Sequence, residues 1–412
     1  MDFFLLFSVL ISLAAVFSYI NIRWLQLPSG IALMLMGAVI SIGLIITSRF
    51  SPGFVNYIQV QLTTIDFSEF ILGILLSFLL FAGSLHVGYQ QLKNSALSII
   101  TFSTVGVMIS TLLVGTGTYF LFRLFGENIS FIYCLLFGSL ISPTDPIAVL
   151  GILKKAGISK SVEIKITGES LFNDGVGVVL FATILQIIVQ GSENASFGSV
   201  ITLFAREALG GIVAGFIIGY AGYKLMKSID HFQTEILLSL AMVMGGYSLC
   251  HYLHVSGPLA MVVAGIFTGY KGLSEAMSDT TRDYLEKFWE VTDEILNSVL
   301  FMLIGLQLVI LTFHWYYFAI GLVIAIGMIF FRYISLWIPA VLFRFKNTLE
   351  PKTLNIMAWG GLRGGISIAL ALSMPAGYFK DAFVMITYTV VLFSIIVQGM
   401  TMGKIVRKFN LK

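Results

Sequence analysis

The chain has 412 residues, 58% of them hydrophobic and only 11% charged. A soluble domain carries about 25% charged residues, so this composition excludes a water-soluble enzyme or nucleic-acid-binding domain and indicates an integral membrane protein. The net charge of +3 is small, and where the charges fall matters more than their sum.

In chain order, thirteen stretches read as spans of roughly the ~20 apolar residues that a crossing needs. They are 3–20, 30–47, 67–86, 95–122, 129–151, 163–190, 199–224, 233–253, 257–270, 291–311, 315–343, 353–374 and 381–403. The first lacks a basic leader, so no cleavable signal is expected. The ninth is short. Between the ninth and tenth, 272–290 places Leu273, Ala276, Met277, Tyr284, Leu285, Phe288 and Trp289 at helical spacing among charges. That pattern predicts a helix lying on the membrane surface. With the N-terminus outside, eighteen of the 24 lysines and arginines fall in inner loops or the C-terminal tail and four in outer loops. So lopsided a split predicts an outer N-terminus and a cytoplasmic C-terminus. Cys134 and Cys250 lie in apolar runs and form neither a disulfide framework nor a CxxC site. His251 and His254 share a helical edge without a Cys or acid beside them, which favours an interfacial helix end over a metal pair.

Several ionisable groups lie inside spans, where each costs ~2.5–3.5 kcal/mol on insertion scales. The fifth span is broken by Ser142-Pro143-Thr144-Asp145-Pro146. Each proline lacks an N–H and pushes its predecessor out of helical geometry. Thr144 or Asp145 is placed to cap a new half-helix starting at Pro146, with Asp145 against its positive end. The twelfth span breaks at Gly360-Gly361-Leu362-Arg363-Gly364-Gly365. The two breaks lie seven spans apart, an odd shift that reverses direction through the membrane. Interrupted segments in corresponding halves are the sequence mark of an inverted-repeat transporter whose site lies where they meet. If they cross antiparallel, Arg363 compensates the negative half-helix ends; the alternative is a pair of kinks around a buried ion pair.

The sixth span carries Glu169-Ser170-Leu171-Phe172-Asn173-Asp174. Ser170 and Asp174 share one helical face, and Glu169 and Asn173 share the adjacent edge. Gly175 and Gly177 allow another helix to approach. An intramembrane carboxylate holds either a proton or a dehydrated cation, and that competition gives coupled exchange if the site faces one side at a time. Glu169 is expected to be paired, with Arg332 in the eleventh span as its candidate partner.

These three motifs together resemble the monovalent cation:proton antiporters, in the branch with an Asn-Asp pair. Phe288-Trp289-Glu290, Asp293-Glu294-Ile295-Leu296-Asn297 and Leu303-Ile304-Gly305-Leu306 resemble that family's tenth span. The resemblance covers nearly the whole chain. It implies an all-α membrane fold of inverted six-helix repeats with two crossing broken helices, working as a homodimer. Residues 1–94 and 233–311 would form scaffold and dimerisation helices. Residues 95–190 and 312–412 would form a mobile core, joined through a linking helix at 191–232. It places the cation on Asp174, Ser170 and the Thr144 carbonyl, with Asp145 nearby. It pairs Glu169 with Arg332 and lets Asn173 hold that arrangement. One departure stands out: many relatives carry an acid in the third span, where this chain reads Leu80-Phe81-Ala82-Gly83-Ser84.

The expectation is therefore a sodium (or lithium)/proton antiporter of a prokaryotic cytoplasmic membrane. It would exchange one for one without net charge and use no cofactor. Potassium/proton exchange on the same scaffold is the alternative. A cation channel lacks a filter-like carbonyl motif, and an intramembrane protease lacks a histidine near Ser170.

Overall fold

The computed structural model describes residues 3–409 except 49, 54–55, 57–58, 60–68, 146–152, 154–157, 191–196, 344–350 and 376. Among the described residues the regular structure is entirely helical. Every stretch expected to span contains at least one helix, in the expected order. The helices are α1 (Phe3–Ile20), α2 (Ser29–Thr47), α3 (Phe70–Leu85), α4 (Leu92–Leu124), α5 (Phe131–Ile141), α6 (Lys160–Gln190) and α7 (Phe197–Lys227). They continue with α8 (Phe232–Tyr252), α9 (Gly257–Phe267), α10 (Asp279–Leu306), α11 (Trp315–Leu342), α12 (Pro351–Trp359), α13 (Gly365–Leu372) and α14 (Phe379–Lys408). Eight helices among the described residues are long and apolar enough to cross a membrane. Val39, Phe50, Leu124, Tyr252 and Trp315 are exposed apolar side chains, as a lipid-facing surface requires.

The region around 272–290 departs from expectation. It is not a separate surface helix. α9 runs on as a π-helical stretch, Thr268–Ala276, and the chain then turns at Met277–Ser278. Ser278 caps α10, accepting from the Thr281 N–H at 3.4 Å. From Asp279 the helix is continuous to Leu306, because nothing between Glu290 and Glu294 breaks it. Leu285 and Trp289, read as membrane-facing, are fully buried, and the Trp289 indole donates to Ser239 Oγ at 3.0 Å.

Small residues set the packing. Gly37 of α2 meets Gly305 of α10, where Ser41 Oγ donates to the Gly305 carbonyl at 2.9 Å. α9 lies on α3 through Gly265 and on α7 through Gly215. α4 lies on α5 through Gly115 and Gly138, and α11 on α14 through Gly321. Such approach brings backbones together where apolar burial alone cannot drive helix association. Between these sets run α6, α12 and α13, which carry the polar motifs.

Candidate functional site

Both expected breaks are present. α5 stops at Ile141, and Ser142 folds back on it, donating its hydroxyl to the Gly138 carbonyl at 2.7 Å and to Ser110 Oγ at 2.9 Å. α12 stops at Trp359, and the glycine-rich run 360–364 is non-helical before α13 begins. Glycine's low helix propensity favours a break there. The two breaks touch through backbone: the Asp145 N–H donates to the Leu362 carbonyl at 2.8 Å. The half-helix expected from Pro146 lies outside the described residues. Asp145 faces the start of the other broken helix. An added Cβ on Gly364, the residue capping α13, would lie 2.1 Å from Asp145 Oδ2. A carboxylate at a helix N-terminus is stabilised by the unpaired N–H groups and the helix dipole. At the opposite pole, Arg363 Nη1 donates to the Gly361 carbonyl at 2.9 Å, beside the C-terminal end of α12. The Arg363 N–H is held by Ser394 Oγ at 3.0 Å.

α6 crosses beside this point. Gly177 makes the approach possible, since a Cβ there would lie 2.1 Å from Pro143 Cγ; Gly175 does the same for Leu259 of α9. One edge of α6 holds a buried network. Arg332 Nη2 lies 2.6 Å from each oxygen of Glu169, with both side chains 2% exposed. Asn173 Nδ2 donates to Glu169 Oε1 at 3.2 Å and to Thr144 Oγ1 at 2.8 Å. Asn173 Oδ1 accepts from the Thr144 N–H at 3.1 Å, and Thr144 Oγ1 pairs with Ser170 Oγ at 3.0 Å. Thr144, Glu169, Ser170, Asn173 and Arg332 are thus joined.

Asp174 stands apart from that network. It is only 5% exposed, and among the described residues nothing donates a hydrogen bond to its carboxylate. It borders a cavity of about 690 Å³ that is also lined by Asp145, Lys160, Glu163, Thr167, Leu171, Glu286 and Glu290. Asp174 lies fourteen residues into α6, or about 21 Å from the helix start at 1.5 Å per residue, near the middle of a bilayer.

Asp293 also lines this cavity, and sequence reasoning gave it no role. The signal was available: Glu286, Glu290 and Asp293 follow i, i+4, i+7, one face of a helix. The α3 wall of the cavity is Leu76, Leu79, Leu80 and Gly83. Ala82, in the stretch where many relatives carry an acid, is buried and is not among the wall residues. His251 and His254 are exposed at the end of α8.

The transmembrane sodium/hydrogen exchanger family matches residues 11–408. The Na(+)/H(+) antiporter NhaP of Pseudomonas aeruginosa is 46% identical over 411 residues, covering 98% of this chain and 96% of that protein. The Na(+)/H(+) antiporter NhaH of Halobacillus dabanensis is 30% identical, with 98% of each covered. The fold matches that of the sodium proton antiporter MjNhaP1 from Methanocaldococcus jannaschii with a TM-score of 0.77 at 22% identity, over 98% of this chain and 97% of that one. Two broken helices crossing beside a buried carboxylate thus stand in a chain that matches one family almost from end to end: it is a multi-pass membrane protein of the sodium/hydrogen exchanger family.

Proposed function

We propose that this protein exchanges sodium for protons across a prokaryotic cytoplasmic membrane by alternating access. Asp174 is the group that carries either ion. One observation carries the assignment: a buried carboxylate with no donor among the described residues, turned into a cavity where two broken helices cross. A carboxylate lacking a fixed donor has its lone pairs available to a proton or a cation. Ser170, on the same face of α6, and Thr144, at the break, supply further oxygen ligands. Oxygen donors suit a hard monovalent cation. Asn173 sets the position of Thr144, and the Glu169–Arg332 pair anchors Asn173. Asp145 keeps its charge at the α13 terminus and Arg363 at the α12 terminus, so neither exchanges ions. The relatives named above are sodium/proton antiporters, which favours sodium over potassium.

Lys160, Glu163 and Glu286 in the cavity lining fall on the face that the distribution of lysine and arginine assigns to the cytoplasm. The described conformation is accordingly the inward-facing one, with the N-terminus outside. α1 to α3 with α8 to α10 form the scaffold of a homodimer, and α4 to α6 with α11 to α14 form the moving core. In proteoliposomes, Asp174→Asn keeps the side chain's size and removes its titrating charge. It is expected to abolish both sodium-driven proton movement and sodium binding while the protein stays folded. Exchange at the wild-type rate by a folded variant would overturn the assignment.

A further inference from the structure

One edge of α10 runs along the cavity from its mouth to the crossing. Glu286, Glu290 and Asp293 line the wall, and Leu300 on the same edge packs against Gly365 at the start of α13. From Glu286 to Leu300 the helix advances about 21 Å, so Asp293 sits midway, about 10 Å short of the crossing. Asn297, one turn on, is buried, and its Oδ1 accepts no bond from the described residues. Acidic groups near Asp293 include Asp145 in the same cavity lining and Glu290 and Glu294 on its own helix. Lys160 and His86 are the basic groups among the described wall residues. The inner end of the same space is Asp174, buried and without a described donor. Acids at the mouth and midway therefore lead to a carboxylate suited to a cation, while the α3 wall opposite is apolar.

We propose that Asp293 is a second cation-binding carboxylate on the transport route, taking a monovalent cation from Glu290 and passing it to Asp174. This rests on the assignment of Asp174 as the exchange site. α10 belongs to the proposed scaffold, so Asp293 does not cross with the ion. It acts on cation affinity and leaves the exchange ratio alone.

The test is sodium/proton exchange in proteoliposomes by Asp293→Asn, Asp293→Glu and Glu290→Gln, with Asp174→Asn alongside. Asp293→Asn is expected to raise KM for sodium about tenfold, a loss of about 1.4 kcal/mol, because it removes a carboxylate that binds the ion directly. The maximal rate and the one-for-one ratio should be kept. Asp293→Glu should restore most of the affinity, and Glu290→Gln should have the smaller effect. The rise should persist in added choline chloride, which screens distant charges far more than a direct ligand. An unchanged KM would overturn the proposal, as would a rise that choline removes. A loss of maximal rate shared by both Asp293 variants, with a lowered melting temperature, would make the residue structural and also overturn it. If Asp174→Asn still exchanges, the exchange-site assignment itself fails, and this inference with it.

Discussion

Asn173 uses both ends of its amide beside the proposed ion site. Its NH₂ serves Glu169 and Thr144 Oγ1, and its carbonyl takes the Thr144 N–H. An aspartate there would lose both donated bonds and set a second carboxylate against Glu169, so this chain is built to titrate at position 174 and not at 173. The pair behind it is a buried charge pair, and removing one partner leaves the other uncompensated. Glu169→Ala or Arg332→Ala is expected to lower stability by about 3–5 kcal/mol, and the double variant should recover part of the loss. Thermal unfolding of the purified proteins in a double-mutant cycle checks this, and additive losses would argue against the pair. The Glu169–Asn173 edge of α6 was legible because helical spacing puts residues four apart on one side, and the structure shows Asn173 bonded to Glu169. Asp293 was not, because periodicity shows which residues share an edge without showing what that edge faces. That Asp145 lies against the start of α13 was hidden for a related reason: Gly365 is more than two hundred residues away.

At the scale of elements, the break in α12 and α13 is shaped to receive a side chain from the break after α5. Gly364 leaves the room that Asp145 Oδ2 fills, at 2.1 Å from where a Cβ would stand. Gly364→Ala must push either the carboxylate or the α13 terminus aside. It is expected to destabilise the protein by about 1–3 kcal/mol, the usual range for overpacking, and to cut exchange sharply. Thermal melting and proteoliposome flux read the two effects, and wild-type behaviour in both would show that the breaks do not lock together this way. The breaks themselves were readable, because proline and glycine runs act through local backbone physics. Which half-helix Asp145 faces was not, since that depends on how the segments cross. The stretch 272–290 misled for a third reason: an amphipathic helix can bury its apolar face in lipid or in protein with the same periodicity. Trp289, packed against α3 and bonded to Ser239 of α8, shows that protein is the answer here.

For the whole molecule, the charge inventory of the proposed moving core determines what the cycle does to the membrane potential. Glu169 is bound to Arg332, Asp145 sits at a helix N-terminus and Arg363 at a helix C-terminal end, and Asn173 cannot titrate. On the proposed assignment, Asp174 alone is left to alternate between one proton and one sodium ion. The loaded core carries the same charge on both legs, and the potential, worth ~2.3 kcal/mol per charge per 100 mV, does no work on the exchange. Asp293 leaves this balance unchanged because it stays with α10. The decisive measurement sets a sodium gradient against a proton gradient across proteoliposomes and finds the pair at which flux vanishes, with the potential clamped by potassium and valinomycin. Zero flux is expected when the two gradients are equal, at every clamped potential. A balance point that moves with the potential would mean that a second proton crosses, and that Asp145 or Glu169 titrates in a role other than the one given to it here.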